Sequence, residues 1–237
     1  EIASCLVGSE MCIRDRDPAY FSVAQIDTLR GKYTEALDAI ERSLVRNWHN
    51  HKARQLKCSV LRKLGRTEEA VSWADDSLKI DRFNMGCRFE KYLLTRDENV
   101  LAEMKSLMRG WSHGYMEYAL DFAGAGLYDE AIELLQAYLS GAHDVYPMIY
   151  CALGYYYSLK GDKENSLKYY KKLEEANPDR CFPNRIEEVN MLQDAINNNP
   201  QGAKANYYLG NFWYAMRQYD NAIACWEESV KLDDKYP

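Results

Sequence analysis

The chain has 237 residues, 47% apolar and 28% charged, with a formal net charge of −6. That composition belongs to a globular protein able to bury a substantial core; it excludes a disordered chain and argues against general nucleic-acid binding. No apolar run approaches the roughly 20 residues of a bilayer span, and scarce Gly (13) and Pro (6) beside abundant Tyr (19) favour long helices over turn-rich β structure.

The chain opens on "EIASCLVGSEMCIRDR", which has no helical or strand period and lacks the basic start and unbroken apolar core of a secretory signal. Residues 5–16 resemble the translation of a transposase adaptor used in sequencing-library preparation. On that reading residues 1–16 are an artefact or disordered segment, and the natural protein extends further upstream. The alternative is a divergent first helix of an earlier repeat.

From Asp17 onward the sequence repeats. "GKYTEALDAIERSL" (31–44), "GRTEEAVSWADDSL" (65–78), "GLYDEAIELLQAYL" (126–139), "GDKENSLKYYKKLE" (161–174) and "RQYDNAIACWEESV" (217–230) align. Each starts on a turn residue, usually Gly, with a small residue five later: Ala36, Ala70, Ala131, Ser166 and Ala222. A small residue there lets two helices approach closely, and the large residue after it (Leu37, Val71, Ile132, Leu167, Ile223) is expected to plug the neighbouring groove. Upstream lies a second amphipathic segment, as in "YCALGYYYSLK" (150–160) and "NYYLGNFWYAM" (206–216), with Gly154 and Gly210 at matching places. The pattern predicts helix–turn–helix pairs.

These pairs resemble the tetratricopeptide repeat (TPR). "YYLGNFWYAMRQYDNAIACWEESVKLD" (207–233) and "YCALGYYYSLKGDKENSLKYYKKLEEANP" (150–178) follow most of its pattern of Leu-Gly, aromatic and small positions. Ala36 to Ala70 is 34 residues, the TPR period, and Ala131 to Ser166 is 35, whereas Ala70 to Ala131 is 61 and Ser166 to Ala222 is 56. The resemblance implies an all-α, TPR-type α-solenoid of antiparallel helix pairs with irregular inserted helices. Its repeats would span about 17–50, 51–84, 112–145, 147–180 and 203–236. Residues 85–111 would hold a degenerate pair, and residues 181–202 an extra helix capped by Asn184 and ended by "NNNP". "KLDDKYP" closes at a repeat boundary without a polar capping helix, so truncation is expected there too.

The irregular segments "DRFNMGCRFEKYLL" (81–94), "MRGWSHGYMEYALDFAGAGLYDEAI" (108–132) and "CFPNRIEEVNMLQ" (181–193) are similar to the TPR-containing C-terminal halves of large bacterial proteins. Those proteins carry an N-terminal, mutarotase-like domain of unknown function. This second resemblance implies a helical accessory half of a larger carbohydrate-active or carbohydrate-binding protein.

Few residues suggest chemistry. His49 and His51 in "WHNHK" have metal-like spacing on a strand but fall in a turn between repeats, without a nearby carboxylate or Cys. "GAGLYD" (124–129) lacks the strand and third Gly of a phosphate loop. The seven Cys are scattered with no CxxC, which predicts small core residues and a reducing, cytoplasmic setting rather than a zinc site or disulfide framework. No nucleophile elbow or triad is present. No catalytic, cofactor or metal residue is assigned, and the chain is expected not to be an enzyme.

Binding remains. The TPR resemblance implies that Lys52, Gln55, Ser59 and Arg62 face a concave groove, followed by His113, Met116, Leu120 and Ala123. The next two repeats supply Met148, Cys151, Tyr155 and Ser158, then Lys204, Tyr207, Asn211 and Ala215. Gln55, Arg62, Met116, Tyr155, Tyr207 and Asn211 are the peptide-groove candidates. Such a groove suits a peptide, or an adjacent domain of the same chain, with hydrophobic anchors and an acidic end. The carboxylate clamp of chaperone-binding TPRs is missing, because Tyr207 stands where its Lys belongs. Residues 49–66 carry six Lys and Arg and no acid, which marks either a solvated face or an anion-attracting one. No nucleic acid or membrane span is expected among the partners.

Overall fold

The structure, a computed structural model, describes residues 17–235. Residues 1–16, which carry the adaptor resemblance, lie outside the described residues. Thirteen helices and no strand are present among those described. The chain divides into two compact units at residue 134.

The first unit begins with α1 (Asp17–Leu29) and α2 (Tyr33–Arg46), then α3 (His51–Lys63) and α4 (Thr67–Ile80). It continues with α5 (Met85–Thr95), α6 (Glu98–Met108), α7 (Ser112–Gly124) and α8 (Tyr128–Leu139), the last of which carries the boundary between units. Short turns make consecutive helices antiparallel, and α2 packs on α3 as α4 does on α5. Gly31, Gly65, Gly126 and Gly161 turn their pairs with φ between 72 and 79°, a conformation that costs an L side chain roughly 1–2 kcal/mol. Residues 85–111 make a short pair, two helices of 11 residues whose connection runs through Arg96 in the same left-handed region instead of a Gly.

All five small repeat residues are buried, as close helix crossings require. The plug residues differ. Leu37 and Ile132 are buried and Val71 is half-buried, but Leu167 and Ile223 are exposed. One residue along a helix is a turn of about 100°, so a buried small position does not bury its neighbour unless a further helix covers that side.

The second unit holds α9 (Pro147–Leu159), α10 (Lys163–Glu175), α11 (Ile186–Asn198), α12 (Lys204–Ala215) and α13 (Tyr219–Leu232). Two pairs, α9–α10 and α12–α13, are separated by α11, which packs against both α9 and α12. Asp194 of α11 accepts hydrogen bonds from Ser158 Oγ at 3.3 Å and Tyr170 Oη at 2.5 Å, joining three helices at one carboxylate. The start of α11 is not capped by Asn184, as its sequence suggests. Buried Glu188 instead accepts from the backbone N–H groups of Asn184 and Arg185, at 2.8 and 2.9 Å. A charged acceptor at the first turn also meets the positive end of the helix dipole.

Candidate functional site

Helix α3 begins at Asn50, whose side chain accepts from the Ala53 N–H. Its apolar side (Ala53, Leu56, Val60, Leu61) enters the core. The basic residues around it are already engaged. Lys57 pairs with Glu41 at 3.1 Å, Arg66 with Glu69, and Lys63 with Glu130 at 2.7 Å. Arg62 bonds fully buried Glu90 through Nε (2.8 Å) and Nη2 (3.1 Å), and reaches Glu130 at 2.8 Å. Burial pulls the Arg62 guanidinium down, but its bonds to Glu90 and Glu130 outweigh that and hold it above its ordinary value. Arg54 is fully buried with its guanidinium 4.7 Å from the Trp48 ring and 4.3 Å from the Trp73 ring, donating to Ser77 Oγ at 3.0 Å. The acidic-ended ligand suggested by the basic run therefore meets cations that the protein has neutralised itself.

Along one flank of α3 lies a cavity of about 320 Å³. His51, Lys52 and Gln55 form its α3 side; Gly114, Glu117, Tyr118 and Asp121 of α7 form the other, with Asn84 and Trp111 completing the lining. Asn84 is buried because it holds two elements together, accepting from Cys87 N and donating to the His51 carbonyl. Tyr118 Oη donates to the Phe83 carbonyl at 3.3 Å. Trp111, at the start of α7, is 63% exposed, and Gly114 leaves room for it: a Cβ there would stand 3.1 Å from the indole. Lys52 Nζ meets Asp121 Oδ1 at 2.5 Å across the cavity. Burial raises the Asp121 carboxyl above its usual range, against the opposing pull of Lys52.

The six groove candidates have different fates. Gln55 lines this cavity. Arg62 is committed to Glu90 and Glu130. Met116 is fully buried, and the cavity uses the flank of α7 at Gly114, Glu117 and Asp121 instead of the face counted through His113 and Met116. In the second unit Tyr155 and Tyr207 are half-buried, with rings tilted against Tyr156 and Tyr208. Asn211 accepts from Trp226 Nε1 at 3.2 Å and so positions the α12–α13 contact. Met148 and Cys151 are buried and Ser158 is bonded to α11, so the inserted helix occupies much of the α9 face on which a groove was counted. Sequence reasoning missed Trp111, Tyr118 and Asp121. The one local signal was the bulky Trp next to the Gly-Trp-Ser helix start.

Among the described residues no group of three or more His, Cys, Asp or Glu side chains is placed to hold a metal ion. No described helix is long and apolar enough to cross a membrane.

Residues 149–180 and residues 203–236 each match the tetratricopeptide repeat family. No curated protein matches the chain. Among solved structures, the chain is similar to MamA 41-end from Desulfovibrio magneticus RS-1, at 17% identity over 93% of this chain and 97% of that one, with a TM-score of 0.33. It is also similar to a thermophilic TPR protein, TTC0263, of Thermus thermophilus, at 15% identity over 92% of each chain and a TM-score of 0.32. A tetratricopeptide repeat protein from Parabacteroides merdae gives 15% identity over 92% of this chain and 78% of that one, with a TM-score of 0.38. The fold is an all-α TPR solenoid of antiparallel helix pairs with irregular inserted helices. TPR repeats of this kind make protein-interaction scaffolds.

Proposed function

We propose that this chain is a non-catalytic scaffold that seats a segment of a partner protein in the cavity between α3 and α7. The observation that carries the reading is the exposed indole of Trp111 at a cavity of about 320 Å³, large enough for a side chain and part of its backbone. Large aromatic residues beside a desolvated pocket are the commonest anchors of protein recognition. The net charge of −6 disfavours a nucleic-acid partner.

The test is selection of displayed peptides on the purified protein, followed by calorimetry of the selected sequences. Trp111→Ala is expected to weaken them at least tenfold, and Lys168→Ala, on the exposed side of α10, to leave them unchanged. Equal binding by Trp111→Ala and the parent would remove the cavity from the proposal.

A further inference from the structure

Helices α1, α3 and α5 begin 34 residues apart, as do α2 and α4. Within that spacing one ion pair occurs twice. Glu41 of α2 meets Lys57 of α3 at 3.1 Å, and Asp75 of α4 meets Lys91 of α5 at 2.7 Å. Each time an acid on the second helix of a pair holds a lysine 16 residues later, on the helix packed against it. The apolar residues beside the acid are thereby taken out of water: on α2, Leu37, Ile40 and Leu44 are 9%, 0% and 3% exposed.

Helix α13 carries the same face, but among the described residues it packs chiefly on α12. Ile223, Trp226 and Val230 stand where Leu37, Ile40 and Leu44 stand on α2, and Glu227 holds the place of Glu41 and Asp75. Ile223 is 50% and Val230 41% exposed, and with Trp226, Glu227 and Lys231 they line a groove of about 350 Å³. Glu227 makes no hydrogen bond or close ion pair with a described residue; Lys231, one turn on, feels its charge but bonds Glu228. None of these residues lines the α3–α7 cavity. An apolar patch of this kind, rimmed by charge, marks an interaction surface.

We infer that this face of α13 seats an amphipathic helix of a partner protein that brings a Lys to Glu227. The two helices already seated on such faces share a pattern around their lysine: a small residue four before it (Ala53, Cys87) and an aliphatic one three after (Val60, Leu94). Those three positions lie on one side of a helix. The small residue lets the helix approach closely, the aliphatic one adds apolar contact, and the ion pair fixes the register. A second copy of this chain does not meet the requirement. Its first helix, α1, aligns with α3 and carries Val23 at the place of the lysine, while Lys57 and Lys91 are engaged within their own chain.

The probe is a labelled peptide of residues 47–66, the α3 segment, made with Cys58→Ala and held helical by a staple on its outer side; a second peptide adds Lys57→Glu. Fluorescence polarisation against the whole chain is expected to show the Lys peptide bound about three- to fivefold tighter than the Glu peptide at low salt, a difference lost in about 0.5 M NaCl. Glu227→Lys in the chain should reverse the order and favour the Glu peptide, a gain that damage to the fold cannot produce. Ile223→Asp, at a half-exposed position, should remove binding of both peptides with the circular dichroism unchanged. If neither peptide binds, if Glu227→Lys leaves the order as it was, or if Ile223→Asp binds like the parent, the inference falls. Sedimentation that shows the parent dimeric and Ile223→Asp monomeric would make a second copy the occupant and overturn it as well.

Discussion

Gly154→Ala tests how closely α9 and α10 cross. A methyl on Gly154 would lie 2.3 Å from Tyr170 Cε1, 2.6 Å from Cδ1 and 2.9 Å from Cζ. Carbon atoms rest about 3.5–4.0 Å apart, so the ring would have to retreat by more than about 1 Å. It has nowhere to go. Tyr170 is fully buried, and its hydroxyl is tied to Asp194 at 2.5 Å. Overpacking of this kind costs about 1–3 kcal/mol, and straining a hydrogen bond to a carboxylate adds about 1.5–3 kcal/mol. The better helix propensity of Ala returns about 1 kcal/mol. The net loss is about 3 kcal/mol, which for a chain of this size lowers the melting temperature by roughly 6–12 °C. Circular dichroism at 222 nm during a thermal ramp measures it. Gly154→Ala combined with Tyr170→Leu should recover part of the loss, because the second change removes the ring that the methyl meets. A Gly154→Ala variant that melts within 2 °C of the parent would refute the close crossing.

The same substitution at Gly86 brings its methyl 1.9 Å from Oε1, 2.4 Å from Cδ and 2.8 Å from Cγ of the buried Gln55 side chain, so overpacking of about 1–3 kcal/mol exceeds the helix gain of about 1 kcal/mol. Gly86→Ala is expected to lower the melting temperature by roughly 2–4 °C, for a net loss of about 1 kcal/mol, and a melting temperature above the parent's would show that Gln55 moves aside freely. Glu90→Ala leaves Ser59 and part of Arg62 without their buried acceptor and should cost about 3–5 kcal/mol in urea titrations; a change below 1 kcal/mol would mean that Arg62 and Glu130 suffice. Burial pushes the Cys181 thiol up to about 12. The folded chain therefore keeps this proton when the unfolded chain loses it near pH 8.5, so stability is intact below that pH and falls towards pH 12, by about 1.4 kcal/mol per unit. Melting temperatures between pH 8 and 11 should decline less steeply in Cys181→Ala, and identical slopes would exclude the effect.

Pair structure was legible because it rests on local rules. A Gly that must adopt positive φ at Gly31, Gly65, Gly126 and Gly161, and a small residue where helices cross, leave fixed marks at fixed spacing. The pair at 85–111 lacks the turn glycine: its turn uses Arg96, and its helices are two to three residues shorter than those on either side, so a repeat template passes over it. That short pair also helps explain why the cavity was missed. Residues counted from a uniform repeat place Met116 inward, but α3 and α7 are separated in sequence by the irregular α5–α6 pair, and α7 offers its neighbouring flank instead. Electrostatics were misread for a different reason. The acids that neutralise α3, namely Glu41, Glu90, Asp121 and Glu130, come from four other helices, and no reading of residues 49–66 alone reveals them.

Repeat arrays are commonly rebuilt by exchanging, deleting or duplicating whole repeats, because each unit touches its neighbours through equivalent surfaces. Asp194 removes that freedom from residues 147–198. One carboxylate on α11 satisfies a serine on α9 and a tyrosine on α10, and that same tyrosine fills the space kept open by Gly154. Transplanting α9–α10 alone would strand Tyr170 without its acceptor, and excising α11 would expose the side of α9 that Met148 and Cys151 now bury. The smallest transferable piece here is three helices long, and a grafted array should be cut after Asn198 instead of after Pro178.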